Sequence, residues 1–81
     1  MKLRVLFFSI LRDITGCEEV EWSLPAPATV DDLLNGLYQQ WPALQAWEGS
    51  LLIGVDLAYV KRNEPLHEGA EVALMPPVQG G

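Results

Sequence analysis

The stretch from Thr29 to Pro42, "TVDDLLNGLYQQWP", constrains the fold more than any other part of the chain. Its apolar residues Val30, Leu33, Leu34, Leu37, Tyr38 and Trp41 stand at offsets of 0, 3, 4, 7, 8 and 11, which lays them along one stripe of an α-helix. Thr29 is placed to cap the first turn, and Asp32 three residues on completes a variant of the capping box. Asp31 and Asp32 put negative charge where the helix dipole favours it. Pro42 closes the helix, because the residue before a proline is driven out of the α region. One striped helix has to cover its apolar side with something else. The segments around it supply that cover by reading as strands.

"KLRVLFF" alternates Leu3, Val5 and Phe7 on one face with Arg4, Leu6 and Phe8 on the other. The first set belongs to a core; the second starts polar but ends on Phe8, apolar where a solvent-facing side is expected. Ser9 is then a cap candidate for a short helix through Ile10, Leu11 and Ile14, with Gly16 as its stop. "EVEWSL" sets Val20, Trp22 and Leu24 against Glu19, Glu21 and Ser23, a half-buried strand, and "LPAPAT" is a proline-stiffened connection to the main helix. After that helix, "ALQAWEG" reads as a short irregular or helical piece that tucks Trp47 against it. "LLIGV" is a strand with Leu51, Ile53 and Val55 on one face, and "LAYV" a short edge strand before the polar turn "KRNEP". "EVALM" is the last strand, pointing Val72 and Leu74 one way and Ala73 and Met75 the other. This order predicts an α+β fold: one mixed sheet packed against one main helix. Residues 1–75 form that single domain and residues 76–81 an extended tail.

With 49% hydrophobic and 20% charged residues, the composition is that of a globular chain. The start, "MKLRVLFFSI", imitates a signal peptide but has no small-residue cleavage site, and its removal would delete the clearest strand. No apolar run approaches the roughly 20 residues of a membrane span. The expectation is a cytoplasmic protein without a membrane. Eleven carboxylates against five Lys and Arg leave a net charge of −6, with the cations scattered among acids. Nucleic-acid binding needs a concentrated basic patch, so it is not expected. The negative charge either steers the chain toward a basic protein partner or only keeps it in solution.

Side-chain chemistry is scarce. Cys17 lies beside Glu18 and Glu19, which work against a reactive thiolate, and reads as an incidental turn cysteine. His67, the single histidine, has no thiol or second imidazole to share a metal and reads as a solvated turn residue. No phosphate-binding glycine loop, Cys–His pair or Ser–His–Asp set is present. The chain is not expected to catalyse alone, nor to bind a metal or a cofactor itself.

That leaves "MPPVQGG". Pro76 and Pro77 remove two backbone donors, so the chain is expected to leave the sheet there. From Pro76 through Val78 and Gln79 to Gly81, an extended backbone reaches at most about 20 Å. Gly80 and Gly81 have no Cβ and enter slots too narrow for other residues. What arrives at the far end is a carboxylate, ionised at neutral pH and inert until activated.

The run from "IGVD" through "PLHEGAEVALMPPVQGG", with "VLFFSILRDITG" at the start, resembles the MoaD family, the small sulfur-carrier subunits of molybdopterin synthase. The resemblance covers essentially the whole chain and is most specific at the "PL-x-x-G-x-EVA-x-x-PPV-x-GG" ending. It implies a ubiquitin-like β-grasp domain. It also implies that a MoeB-type enzyme uses ATP to adenylate the carboxylate of Gly81, and that a sulfur donor converts the adenylate to a thiocarboxylate. The charged carrier then docks on a large, MoaE-type subunit, as a heterotetramer of two small and two large chains. There it gives sulfur to cyclic pyranopterin monophosphate, making the dithiolene of molybdopterin. Phe8, Tyr59 and Met75 fall where the family presents apolar residues to its partners. Tyr59 and Met75 stand where leucine and phenylalanine are familiar, and Asp56 where asparagine is. Two alternatives share the activation step: a ubiquitin-like modifier conjugated to lysines through Gly81, and a sulfur carrier for another pathway such as the thiazole of thiamine. A plain interaction domain is a further alternative.

Overall fold

The computed structural model describes residues 1–77. In chain order it contains β1 (Lys2–Phe7), α1 (Ile10–Thr15), β2 (Glu19–Ser23), α2 (Val30–Gln40), a 3-10 stretch (Pro42–Ser50), β3 (Leu52–Val55), β4 (Ala58–Tyr59) and β5 (Glu71–Met75). Among the described residues the strands form one five-stranded sheet in the order β2-β1-β5-β3-β4. β5 lies in the middle, parallel to β1 with Val5 opposite Val72, and antiparallel to β3 with Ile53 opposite Leu74. The remaining pairings, β1 with β2 and β3 with β4, are antiparallel. The sheet is therefore mixed, as the order of elements predicts.

Period-two alternation decides what the sheet buries. Leu3, Val5 and Phe7 of β1, Val72 and Leu74 of β5, and Ile53 and Val55 of β3 all point to one side. They meet Val30, Leu33, Leu34, Leu37 and Tyr38 from the stripe of α2 in one core. The helix starts as its sequence predicts. Thr29 is extended, its backbone N–H donates to Asp32 Oδ2 at 2.8 Å, and its hydroxyl accepts from the Asp32 N–H at 3.4 Å. Trp41 ends it, half-buried, with its ring edge-on to Phe7 at 5.6 Å. Gly36 sits mid-helix at a propensity cost of about 1 kcal/mol relative to alanine. A Cβ there would come within 3.3 Å of the Trp22 indole, so glycine leaves room for the β2 tryptophan against the helix. The residues after Pro42 form the 3-10 stretch, and Trp47 is half-buried against the core as expected.

Two local readings are corrected. Ser9 does not cap α1 with its side chain: its backbone has a positive φ of 57° with ψ −131°, whereas a capping side chain needs an extended residue. Backbone carbonyls begin that helix instead, Phe8 and Ser9 accepting from Leu11 and Arg12 at 3.1 Å each. Gly16, at φ 76°, does end it. The edge strand "LAYV" is shorter than its apolar run, because Leu57 belongs to the turn between β3 and β4.

Candidate functional site

The outer face of the sheet is divided. On the β2 side, cross-strand ion pairs cover it: Lys2 with Glu21 at 3.6 Å, and Arg4 with Glu19 at 3.0 Å and with Glu71 at 3.1 Å. Such exposed pairs each contribute little stability, but they make this half thoroughly polar. The other half is apolar. Phe8 just after β1, Ala73 and Met75 from β5, Gly54 from β3 and Ala58 and Tyr59 from β4 surround a hollow of about 260 Å³, which Leu57 and Glu71 also line.

Each wall is positioned by a nameable cause. Phe8 continues the outward set of β1, and its N–H is held by the carbonyl of Leu74 at 3.2 Å, leaving the ring 45% exposed. Met75 is outward on β5 because Leu74 is inward. Tyr59 and Leu57 come from a tight hairpin, with Asp56 at φ 50° and Leu57 at φ 73°. Two left-handed residues match the right-handed twist of a two-residue hairpin, a role usually filled by Asn-Gly. Leucine in that conformation costs roughly 1–2 kcal/mol, and its side chain is 98% exposed. The floor consists of small residues. A Cβ at Gly54 would meet the Ala73 Cβ, the Ala58 carbonyl and the Met75 methyl only at 3.8 Å, so the glycine keeps open space that a side chain would fill.

The structure thus brings Phe8, Tyr59 and Met75 together around one hollow, although they lie far apart in sequence. Leu57, Gly54, Ala58 and Ala73 also shape it, and the sequence reading did not select them. The turn "VDLAY" carries no glycine, so the usual signal for a two-residue hairpin is missing.

Pro76 and Pro77 follow directly on β5 and are half-buried. Ladder pairing ends with Met75 opposite Leu52, so the chain leaves the sheet from its centre, between the end of β1 and the start of β3. A central strand has hydrogen-bonding neighbours on both sides, and two prolines supply no donor to either. Val78, Gln79, Gly80 and Gly81 lie outside the described residues.

Neither candidate side chain for local chemistry lines the hollow. Cys17 is half-buried with its Sγ 3.7 Å from the Thr15 hydroxyl. His67 is exposed, as a turn residue should be, but it is engaged: Nε2 lies 2.6 Å from Asp56 Oδ2 and Nδ1 lies 2.9 Å from the Glu68 carbonyl. Hydrogen bonding to Asp56 and to Glu68 raises the imidazole above its ordinary value. The Glu71 N–H and then His67 lower the Asp56 carboxyl. Among the described residues no group of three or more His, Cys, Asp or Glu can hold a metal ion. The arrangement is an apolar hollow beside the point where the chain departs from the sheet.

The model of the ThiS family matches residues 5–81. The chain belongs to the ThiS family. Within it, the chain is 38% identical over 82 residues to the molybdopterin synthase sulfur carrier subunit of Escherichia coli, covering 98% of this chain and 99% of that one. The ThiS-family fold is the ubiquitin-like β-grasp. SAMP1 of Haloferax volcanii superposes with a TM-score of 0.87 at 27% identity, each chain fully covered. Subunits 1 and 2 of the molybdopterin-converting factor of Helicobacter pylori have been solved as a protein–protein complex, and a chain of it matches at a TM-score of 0.70 and 26% identity, again over both full lengths.

Proposed function

We propose that this chain is the sulfur-carrier subunit of a molybdopterin synthase, and that the sulfur rides on the carboxyl carbon of Gly81. The observation that carries the reading is the joining of two features in a ThiS-family chain. An apolar hollow built by Phe8, Leu57, Tyr59 and Met75 lies on the face from which β5 runs into Pro76 and Pro77. The full-length likeness to the Escherichia coli carrier supports the choice of pathway.

The chemistry divides between chains. A MoeB-type enzyme lets the Gly81 carboxylate attack the α-phosphorus of ATP, releasing pyrophosphate and leaving an acyl-adenylate. A sulfur donor delivers the equivalent of hydrosulfide to the acyl carbon and AMP departs. The resulting thiocarboxylate is a soft nucleophile that Cys17, flanked by acids, does not provide. Docking on a MoaE-type large subunit then carries Gly80 and Gly81 into that subunit's active site, where sulfur passes to cyclic pyranopterin monophosphate. The assembly is two small and two large chains. The complex of subunits 1 and 2 from Helicobacter pylori supports a large-subunit partner of this kind. The carrier works in the cytoplasm, where ATP is at hand; no helix of the described residues is long and apolar enough to cross a membrane.

Intact-mass measurement after incubation with a MoeB-type enzyme, ATP and a sulfur source tests the reading. The expected product is heavier by one oxygen exchanged for sulfur, at Gly81. An unchanged mass, under conditions that load the Escherichia coli carrier, refutes it. The likeness to SAMP1, whose Haloferax volcanii form is a small archaeal modifier protein, favours a second reading as a modifier joined to lysines. Lysine peptides bearing remnants of the tail after digestion of cell protein would select it.

A further inference from the structure

The β3–β4 hairpin carries Leu57 and Tyr59, two of the most exposed apolar side chains, yet it has little to hold it. β4 is two residues long, lies at the edge of the sheet, and follows a turn with leucine in a left-handed conformation. What fastens it is Asp56. Its N–H donates to the Glu71 carbonyl at 2.9 Å and its Oδ1 accepts from the Glu71 N–H at 3.0 Å, tying the turn to the start of β5. Its other oxygen, Oδ2, faces His67 Nε2.

His67 completes the bracket in a way that depends on a proton. Both ring nitrogens face acceptors, the Asp56 carboxylate and the Glu68 carbonyl. Only the imidazolium has an N–H for each. A neutral ring has one, so whichever tautomer it adopts, a lone pair is left against an oxygen. The other ionisable groups nearby are already committed. The Glu68 carboxylate accepts from the Lys2 N–H at 3.1 Å, the Glu71 carboxylate is paired with Arg4, and Lys2 pairs with Glu21.

We infer that Asp56 and His67 form a positioning clasp for the β3–β4 hairpin, closed when the imidazole carries both protons, that sets how firmly Leu57 and Tyr59 are presented to a partner. The docking half of this rests on the proposed function; the clasp itself does not. His67 is raised and Asp56 lowered. The clasp is therefore fully formed between the ordinary ranges of the carboxyl and the imidazole. It opens as pH rises through the raised value of His67, and again as pH falls through the lowered value of Asp56.

Amide hydrogen exchange of the free chain at pH 6 and pH 9, corrected for the intrinsic rate, tests the clasp at the N–H of Asp56 and of Val60, which bond to Glu71 and Ile53. Protection at both is expected to fall about two- to fivefold at the higher pH, the span exposed ion pairs reach. In His67→Gln and Asp56→Asn, where no imidazolium–carboxylate pair exists, it should not fall. Asp56→Asn keeps an acceptor for the Glu71 N–H and a side chain that tolerates the left-handed backbone. Constant protection in the wild type, or the same fall in the variants, overturns the clasp. Affinity for the large subunit should weaken by a similar factor in the wild type and not in His67→Gln; a pH-independent affinity overturns the docking half. No binding to the large subunit at any pH would overturn that half together with the proposed function, and the exchange result still decides the clasp.

Discussion

Replacing Gly54 by leucine separates the fold of this protein from its proposed docking face. The glycine lies on β3 opposite Ala73 and Tyr59, at the floor of the apolar hollow. A Cβ there comes no nearer than 3.8 Å to any neighbour, and the position needs no left-handed backbone. The fold should therefore accept the larger side chain. It should also gain part of the roughly 0.5–1 kcal/mol that glycine costs inside a strand. The hollow is only about 260 Å³, so a leucine filling it denies that space to any apolar side chain of the partner. Burying one such side chain contributes about 1.5–3 kcal/mol, so binding to the large subunit should weaken about 10- to 150-fold. Isothermal titration with the large subunit measures the loss, and thermal unfolding of the free variant reports the fold. Gly54→Ala, which adds one methyl group, should fall between the two. Wild-type affinity in Gly54→Leu with the fold intact would refute the assignment of this hollow to docking. A large drop in melting temperature would instead refute the claim that the floor is open.

Two further outcomes are expected. Leu34, fully buried on the stripe of α2, should cost about 2–5 kcal/mol on truncation to alanine, measured by urea unfolding; a loss below about 1 kcal/mol would mean that its site collapses or is not close-packed. Adding one residue after Gly81 should abolish sulfur loading, as read by intact mass, while leaving the melting temperature unchanged. Loading of the extended chain would refute the assignment of the sulfur to the Gly81 carboxyl.

The readings that held were those in which each residue reports on its own surroundings. Alternation in "KLRVLFF" and "EVALM" assigned Leu3, Val5, Phe7, Val72 and Leu74 to the core and turned Phe8 and Met75 outward. The stripe and capping box of α2 were legible because both arise within a few residues of one helix. Ser9 was misread for the complementary reason. Its residue type suits a cap, but its backbone angle is set by the turn that carries the chain from β1 into α1. The same limit hid the pairing of Asp56 with His67, which are eleven residues apart and meet because β3 and β5 are neighbours.

Local pattern determined which faces are apolar, where the helix begins and ends, and where prolines stop the last strand, since side-chain period and backbone donors are properties of short segments. Strand order is not. Only the tertiary structure placed β5 between β1 and β3, and that pairing gathers Phe8, Gly54, Tyr59 and Met75 around one hollow. The alternation that turns Phe8 and Met75 outward would be the same in any sheet. They became one site because hydrogen bonding between distant segments set them side by side.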